Sequence, residues 1–202
     1  DDLARPAANA LLKSLEEPPA NTLFLLVSHQ PARLLPTIRS RVRLLRFQPL
    51  ADAEVGRVLD TELPDTGGEE MAALIRLAGG APGRALRYAG LDIAGLDRTV
   101  ARMIGAGPAV AADRVALAKA LSGKAAQDRY EAFLDLVPAR IVAVARGRHG
   151  PALARTLRLW EKARDLAAGA VPLSLDPQSV VFELAGLLAQ LDPHPQSRTG
   201  HG

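Results

Sequence analysis

The side chains able to do chemistry are few, and most of them are arginines. Arg39, Arg41, Arg43 and Arg46 crowd one short stretch, with Ser40 directly before Arg41. A guanidinium is always charged and its planar fork matches phosphate oxygens, so this stretch can address a phosphate. Ser28 closes an apolar run, where a hydroxyl can donate one hydrogen bond or cap a turn. Arg84 follows Gly83 at the start of a predicted helix. The helix dipole disfavours a cation there, so an acidic partner or an anion is expected beside it. His29, His149, His194 and His201 are scattered, without the spacing of metal ligands. The chain has no Cys, which excludes a disulfide framework, Cys-ligated zinc and thiol catalysis. No G-x-x-x-x-G-K-[ST] run occurs in it, so the chain as given is not expected to bind or hydrolyse ATP alone.

The elements that must position these residues change character along the chain. Leu3, Ala7, Ala8, Leu11, Leu12 and Leu15 recur at helical spacing until Glu17-Pro18-Pro19 ends the pattern. Asn9 and Lys13 read as a solvent-facing stripe. Glu16 and Glu17 sit badly for the dipole of that helix and are expected to pair with a base, in this chain or a neighbour. Thr22 to Ser28 is apolar without alternation and predicts a strand buried on both faces of a parallel sheet. A short helix or turn interrupted at Pro36 follows, and Val42 to Phe47 predicts a second strand. Two strands cannot make a doubly wound sheet, so the chain is expected to begin partway through a domain.

After Pro49 the sequence reads as helix throughout. Asp52 is the expected N-cap of a helix reaching Leu63, with Val55, Val58 and Leu59 on one face. Further helices are predicted at 69–78, with Gly79-Gly80 as C-cap, and at 84–89. Longer ones are predicted at 93–105, 109–121, 125–147, 152–169 and 177–191. Pro138 is expected to kink or divide the third of these. No internal repeat is present, and residues 193–202 read as a frayed tail.

Hydrophobic residues make up 48% and charged residues 23% of the 202, a globular mixture that excludes a disordered chain. Aromatics are only 3%, so the core must be aliphatic. A net charge of +3 permits contact with DNA or acidic partners without demanding it. No apolar run approaches the roughly 18 residues needed to span a bilayer, and no leader opens the chain. A cytoplasmic protein without membrane contact is therefore expected.

Three stretches together resemble a known family. They are Ala7-Ala8-Asn9-Ala10-Leu11-Leu12-Lys13-Ser14-Leu15-Glu16-Glu17-Pro18-Pro19, then Pro36-Thr37-Ile38-Arg39-Ser40-Arg41, then Gly80-Ala81-Pro82-Gly83-Arg84-Ala85-Leu86. In this order, the first two resemble the clamp-loader branch of the AAA+ ATPases, and the third resembles the second arginine motif (sensor 2) of that family's lid. The match is dense over the first 50 residues and thins after the lid. It implies a mainly α chain, built from the C-terminal remnant of an α/β AAA+ RecA-like domain, a three-helix lid and an all-α collar bundle. The implied boundaries are 1–48, 49–91 and 92–192, with a disordered tail at 193–202.

The resemblance also implies roles. Arg41, with Ser40, would be an arginine finger that reaches in trans to the triphosphate on a neighbouring subunit. The family has Ser-Arg-Cys where this chain has Ser40-Arg41-Val42, a change between small apolar residues that leaves the arginine in place. Ser28 falls at the family's polar sensor and Arg84 at its lid arginine, both concerned with sensing nucleotide. The family's P-loop, acidic metal-binding motif and zinc module are absent here, and the family carries them upstream of this stretch. ATP and Mg would then be bound by the neighbouring subunit, with no cofactor and no metal in this chain. The implied partners are gamma/tau and delta clamp-loader subunits, the sliding clamp and, through the assembled complex, primed DNA. The chain would have no active site of its own and would serve a replicative polymerase holoenzyme.

The residues by themselves leave other readings open. Arg41 can be one of several solvated arginines, Ser28 a turn cap and Arg84 a structural residue. The chain can also be the C-terminal part of a gamma/tau-type ATPase, which a P-loop upstream would support. A third reading is a helical nucleic-acid-binding module, supported by the four clustered arginines. Scarce aromatics for base stacking and the apolar Val42, Leu44 and Leu45 speak against it.

Overall fold

The computed structural model describes residues 5–28 and 31–191. Asp1, Asp2, His29, His194, His201 and the predicted tail at 193–202 lie outside the described residues. Among the described residues the chain is mainly helical and contains no strand. It divides into two compact units, 1–48 and 49–202, which are described separately.

In the first unit, α1 (Arg5–Glu16) ends before the two prolines, as proline's missing N–H and clash with the preceding turn require. A single 3-10 turn (Pro31–Arg33) leads to α2 (Pro36–Arg39), whose Ile38 is 2% exposed. Pro36 opens α2 rather than interrupting it, because the first helical position needs no N–H donor.

The two predicted strands are corrected. Residues 22–28 and 43–50 carry no regular secondary structure. Leu23, Leu25 and Val27 are 79%, 81% and 81% exposed, where burial on both faces was expected. A strand exists only through hydrogen bonds to a neighbour, and these two segments do not form a ladder with each other. Apolar composition fixes what such a segment can become, not whether a partner is present.

The second unit starts with α3 (Asp52–Glu62), α4 (Gly68–Ala78) and α5 (Pro82–Arg87), which pack on one another. Ala51, not Asp52, is the N-cap of α3, and the Glu54 carboxylate accepts the Ala51 N–H at 3.0 Å. An acidic side chain in the third helical position replaces the expected cap. Val55 and Leu59 are buried at spacing i, i+4, while Val58 turns outward. Gly79 ends α4 with φ +54, the left-handed C-cap that only glycine adopts without strain.

Gly80 is more constrained. Its φ is +85, its carbonyl accepts the Leu50 N–H at 2.9 Å, and an added Cβ would lie 2.6 Å from the Pro49 Cβ and 2.9 Å from the Leu50 oxygen. Gly80→Ala therefore meets both backbone strain and a clash with main chain. We expect it to cost about 1–3 kcal/mol in urea unfolding. An unchanged midpoint would show that the 49–50 segment gives way freely.

The remaining helices are α6 (Ile93–Met103), α7 (Ala111–Leu121), α8 (Gln127–Ala145), α9 (Gly150–Ala170) and α10 (Pro177–Ala189). Single 3-10 turns at Gly107–Val110 and Lys124–Ala126 precede α7 and α8. α8 runs unbroken through Pro138, so the expected division does not occur. It packs along α9 and also meets α4, α6 and α10, so tertiary contacts offset the lost hydrogen bond. α10 buries Val180, Val181, Leu184, Ala185, Leu187 and Leu188, one broad face, while Ser179, Phe182 and Glu183 on the other side are exposed. That face packs against α6, α7, α8 and α9.

One continuous core runs from Val55 to Leu191, joining α3–α5 to the later bundle. Carboxylates stitch this junction. Glu70 of α4 accepts the N–H groups of Ile93 and Ala94 at 2.8 and 2.7 Å, and Asp92 accepts that of Gly95 at 3.0 Å. These satisfy three N–H groups that the start of α6 leaves without helical partners, with negative charge where the dipole favours it. Asp97 of α6 is 2% exposed and takes hydrogen bonds from Arg76 of α4 and Arg140 of α8.

The two tyrosines give this unit an alkaline limit. Tyr88 is buried and donates its O–H to Asp135 at 3.0 Å, so burial first and the carboxylate second push the phenol well above its usual range. Burial, then the Asp176 carboxylate, also raises Tyr130. A raised folded pKa means that the unfolded state loses its protons first. Above about pH 10 stability is then expected to fall, by about 1.4 kcal/mol per pH unit from Tyr88, with Tyr130 adding in the same direction. Urea midpoints measured from pH 9 to 11.5 test this. Tyr88→Phe should make the slope clearly shallower, and a flat wild-type profile would refute the assignment.

Candidate functional site

The Ser40-Arg41 pair sits where α2 ends. Ser40 is the C-cap, and its N–H donates to the Pro36 carbonyl at 3.0 Å. The Arg41 N–H donates to the Ile38 carbonyl at 3.0 Å, so one further turn carries the chain past the helix end. Buried Ile38 anchors this turn from inside, which fixes the direction in which the next side chains leave it.

The Arg41 guanidinium is held on two sides. Its Nη1 donates to the Thr37 carbonyl at 2.8 Å and contacts the Ser40 hydroxyl at 3.3 Å. Its Nη2 lies 2.6 Å from a carboxylate oxygen of Glu16, at the end of α1. Glu16 thus finds the base its position at a helix C-terminus calls for, and finds it within the chain. Ser40 in turn donates its hydroxyl to the Thr37 carbonyl at 3.1 Å. Ser40, Arg41, Thr37 and Glu16 form one cluster.

That cluster is open to water. The side chains of Arg41 and Glu16 are 36% and 48% exposed, so their ion pair is a surface pair worth about 0–1 kcal/mol. Swinging the guanidinium away from Glu16 toward an external anion costs little. Arg39, Arg43 and Arg46 are also exposed but make no ion pair among the described residues. Arg41 is the member of the quartet whose direction the fold specifies.

Ser28 closes the extended 22–28 segment and is half-buried. Arg84 belongs to the second unit, in α5. Its side chain is 44% exposed, and its Nε lies 4.0 Å from a carboxylate oxygen of Asp135 on α8. The acidic partner expected beside it is therefore present, supplied from 51 positions further along a chain whose spacing gives no hint of it. Sequence reading missed Glu16 as the specific holder of Arg41. The available signal was an acidic residue misplaced at a helix end, with a proline stop that turns the chain back.

Comparison with known proteins bears on the same stretch. Residues 1–51 match the family model described as DNA polymerase III, delta subunit. The chain is 49% identical over 88 residues to the DNA polymerase III subunit delta' of Pseudomonas aeruginosa, and 48% identical over 84 residues to that of Escherichia coli. These alignments cover 43% and 42% of this chain, and 26% and 25% of the relatives. A DNA polymerase III subunit gamma/tau of Mycobacterium tuberculosis is 36% identical over 78 residues, covering 37% of this chain and 14% of that relative. The matched stretch thus spans about a quarter of the delta' relatives. The family-model match over residues 1–51 includes the cluster around Arg41. No helix among the described residues is long and apolar enough to cross a membrane.

Proposed function

We propose that this chain is part of a delta' subunit of a bacterial DNA polymerase III clamp loader, working in the cytoplasm to place the sliding clamp on primed DNA. In this reading residues 1–48 are the end of an AAA+ ATPase-like domain, residues 49–91 its three-helix lid and residues 92–192 the collar that assembles with gamma/tau and delta subunits. Arg41 is its arginine finger. It leaves Glu16 and reaches the triphosphate on the neighbouring subunit, where ATP and Mg are held. A fixed positive charge aimed at the transferring phosphoryl group stabilises charge that develops in the transition state. Ser40 orients the arginine, while Ser28 and Arg84 stand at positions that sense nucleotide.

The observation that carries this reading is the placement of Ser40-Arg41, inside the stretch that matches the family model, at a helix end and with a weakly held guanidinium. The direct test is reconstitution of a loader from gamma/tau, delta and the full-length subunit containing this chain. Clamp loading that requires the subunit supports the reading. Equal loading without it, or failure to co-elute with gamma/tau and delta, refutes it. The 36% identity to a gamma/tau subunit keeps a second reading in view, an ATPase subunit of that type. A P-loop in the full-length sequence, with ATP bound by the isolated subunit, would favour it.

A further inference from the structure

The second unit contains a cavity of about 640 Å³ between the Pro49–Leu50 segment, the α4–α5 corner and the paired helices α8 and α9. Its walls include Leu134, Val142, Trp160 and Ala167, which give it an apolar floor. Around them stand five arginines, Arg76, Arg84, Arg140, Arg146 and Arg164, against the lining carboxylates Asp52 and Asp135. Four of them already have carboxylate partners, Arg76 and Arg140 in Asp97, Arg84 in Asp135 and Arg164 in Asp165, whereas Arg146 makes no ion pair among the described residues. Pro138 also lines the cavity and has no N–H to give to the Leu134 carbonyl one turn before it. An acceptor is therefore left without its usual helical donor beside the apolar floor.

We propose that this cleft binds an acidic peptide segment that carries an apolar side chain. The parts correspond one to one. The floor takes the apolar side chain, Arg146 takes a flanking carboxylate through charge-assisted hydrogen bonds, with Arg84 and Arg164 able to turn from their half-exposed pairs toward a second, and the Leu134 carbonyl accepts a peptide N–H. Inorganic phosphate offers nothing to cover the floor. A nucleic acid strand needs open aromatic faces for its bases, and Trp160 already carries the Arg164 guanidinium at 4.8 Å from its ring centre. This site is separate from the Arg41 cluster, and its failure would leave the clamp-loader reading standing.

Fluorescence anisotropy of the whole chain with fluorescein-labelled Glu-Asp-Leu-Leu-Glu-Asp tests it. Saturable binding is expected, weakened at least about tenfold by Arg146→Glu, which reverses a rim charge. Arg155→Glu, an equal charge change on the exposed face of α9 outside the cavity, should alter it less than about twofold. Ala143→Trp, which fills the cleft from a position exposed to solvent, should abolish it. Replacing both leucines of the peptide by serine should weaken it as much as Arg146→Glu does. Equal losses from the two arginine variants, equal binding of hexaglutamate, tighter binding of oligothymidylate or ATP, or no saturable binding would each overturn the proposal.

Discussion

With Arg41 as the proposed arginine finger, Arg41→Ala in the full-length subunit is expected to lower clamp- and DNA-stimulated ATP hydrolysis by about 10³-fold at the neighbouring ATP site, with the loader still assembled. The size of the effect follows from what is removed. A guanidinium that meets developing charge on a phosphoryl group acts where water is excluded, and the same charge is worth far less on an open surface. The cost to the fold is small, because the pair with Glu16 is half-exposed and Ile38, not Arg41, anchors the turn. Arg41→Lys should restore little, since an ammonium lacks the planar fork. Single-turnover hydrolysis by the reconstituted loader, with gel filtration to check assembly, separates the outcomes. Unchanged hydrolysis in an intact assembly would leave Arg41 as the residue that ties α2 to the end of α1, and nothing more.

Asp97→Ala should give the largest loss of stability, about 3 kcal/mol, seen as a fall in Tm of about 6–12 °C. Asp97 is nearly inaccessible and answers two guanidinium groups at once, from α4 and α8. Removing it leaves two like charges facing each other without a counter-charge. The Arg76 side chain is 44% exposed and keeps part of its hydration, which places the loss at the lower end for a broken buried pair. The cause can be isolated by replacing all three members with apolar residues of similar size. Asp97→Leu with Arg76→Met and Arg140→Met should recover most of the loss, because no buried charge is then stranded. A loss below about 1 kcal/mol for Asp97→Ala alone would mean that the arginines simply turn to solvent.

Both predictions concern residues whose importance had different visibility beforehand. Arg41 was singled out because it closes the run Pro36 to Arg41, whose residue order resembles the clamp-loader family, while the residues by themselves left it one of several solvated arginines. Asp97 was not, because its partners lie 21 and 43 positions away and nothing local distinguishes it from any acidic residue on a helix. Asp135 and Arg146 were missed for the same reason. The cleft they share exists only once α8 lies beside α9 and the α4–α5 corner.

The amino-acid sequence by itself determined where the helices lie and several of their stops, though not every end, since a helix is closed by bonds four residues apart and stopped by local glycine and proline. Gly79 and the Pro18-Pro19 pair ended α4 and α1 where their backbone preferences demand. It also determined the aliphatic core of α10, and the short runs whose order marks the likeness to clamp-loader subunits. Tertiary structure alone decided the rest. It left 22–28 and 43–50 extended but unpaired, because a strand needs a partner that its own sequence cannot supply. It carried α8 through Pro138, because packing along α9 offsets one missing hydrogen bond. It set Glu16 against Arg41, and gave Asp97 its two arginines, because charges find their partners through space.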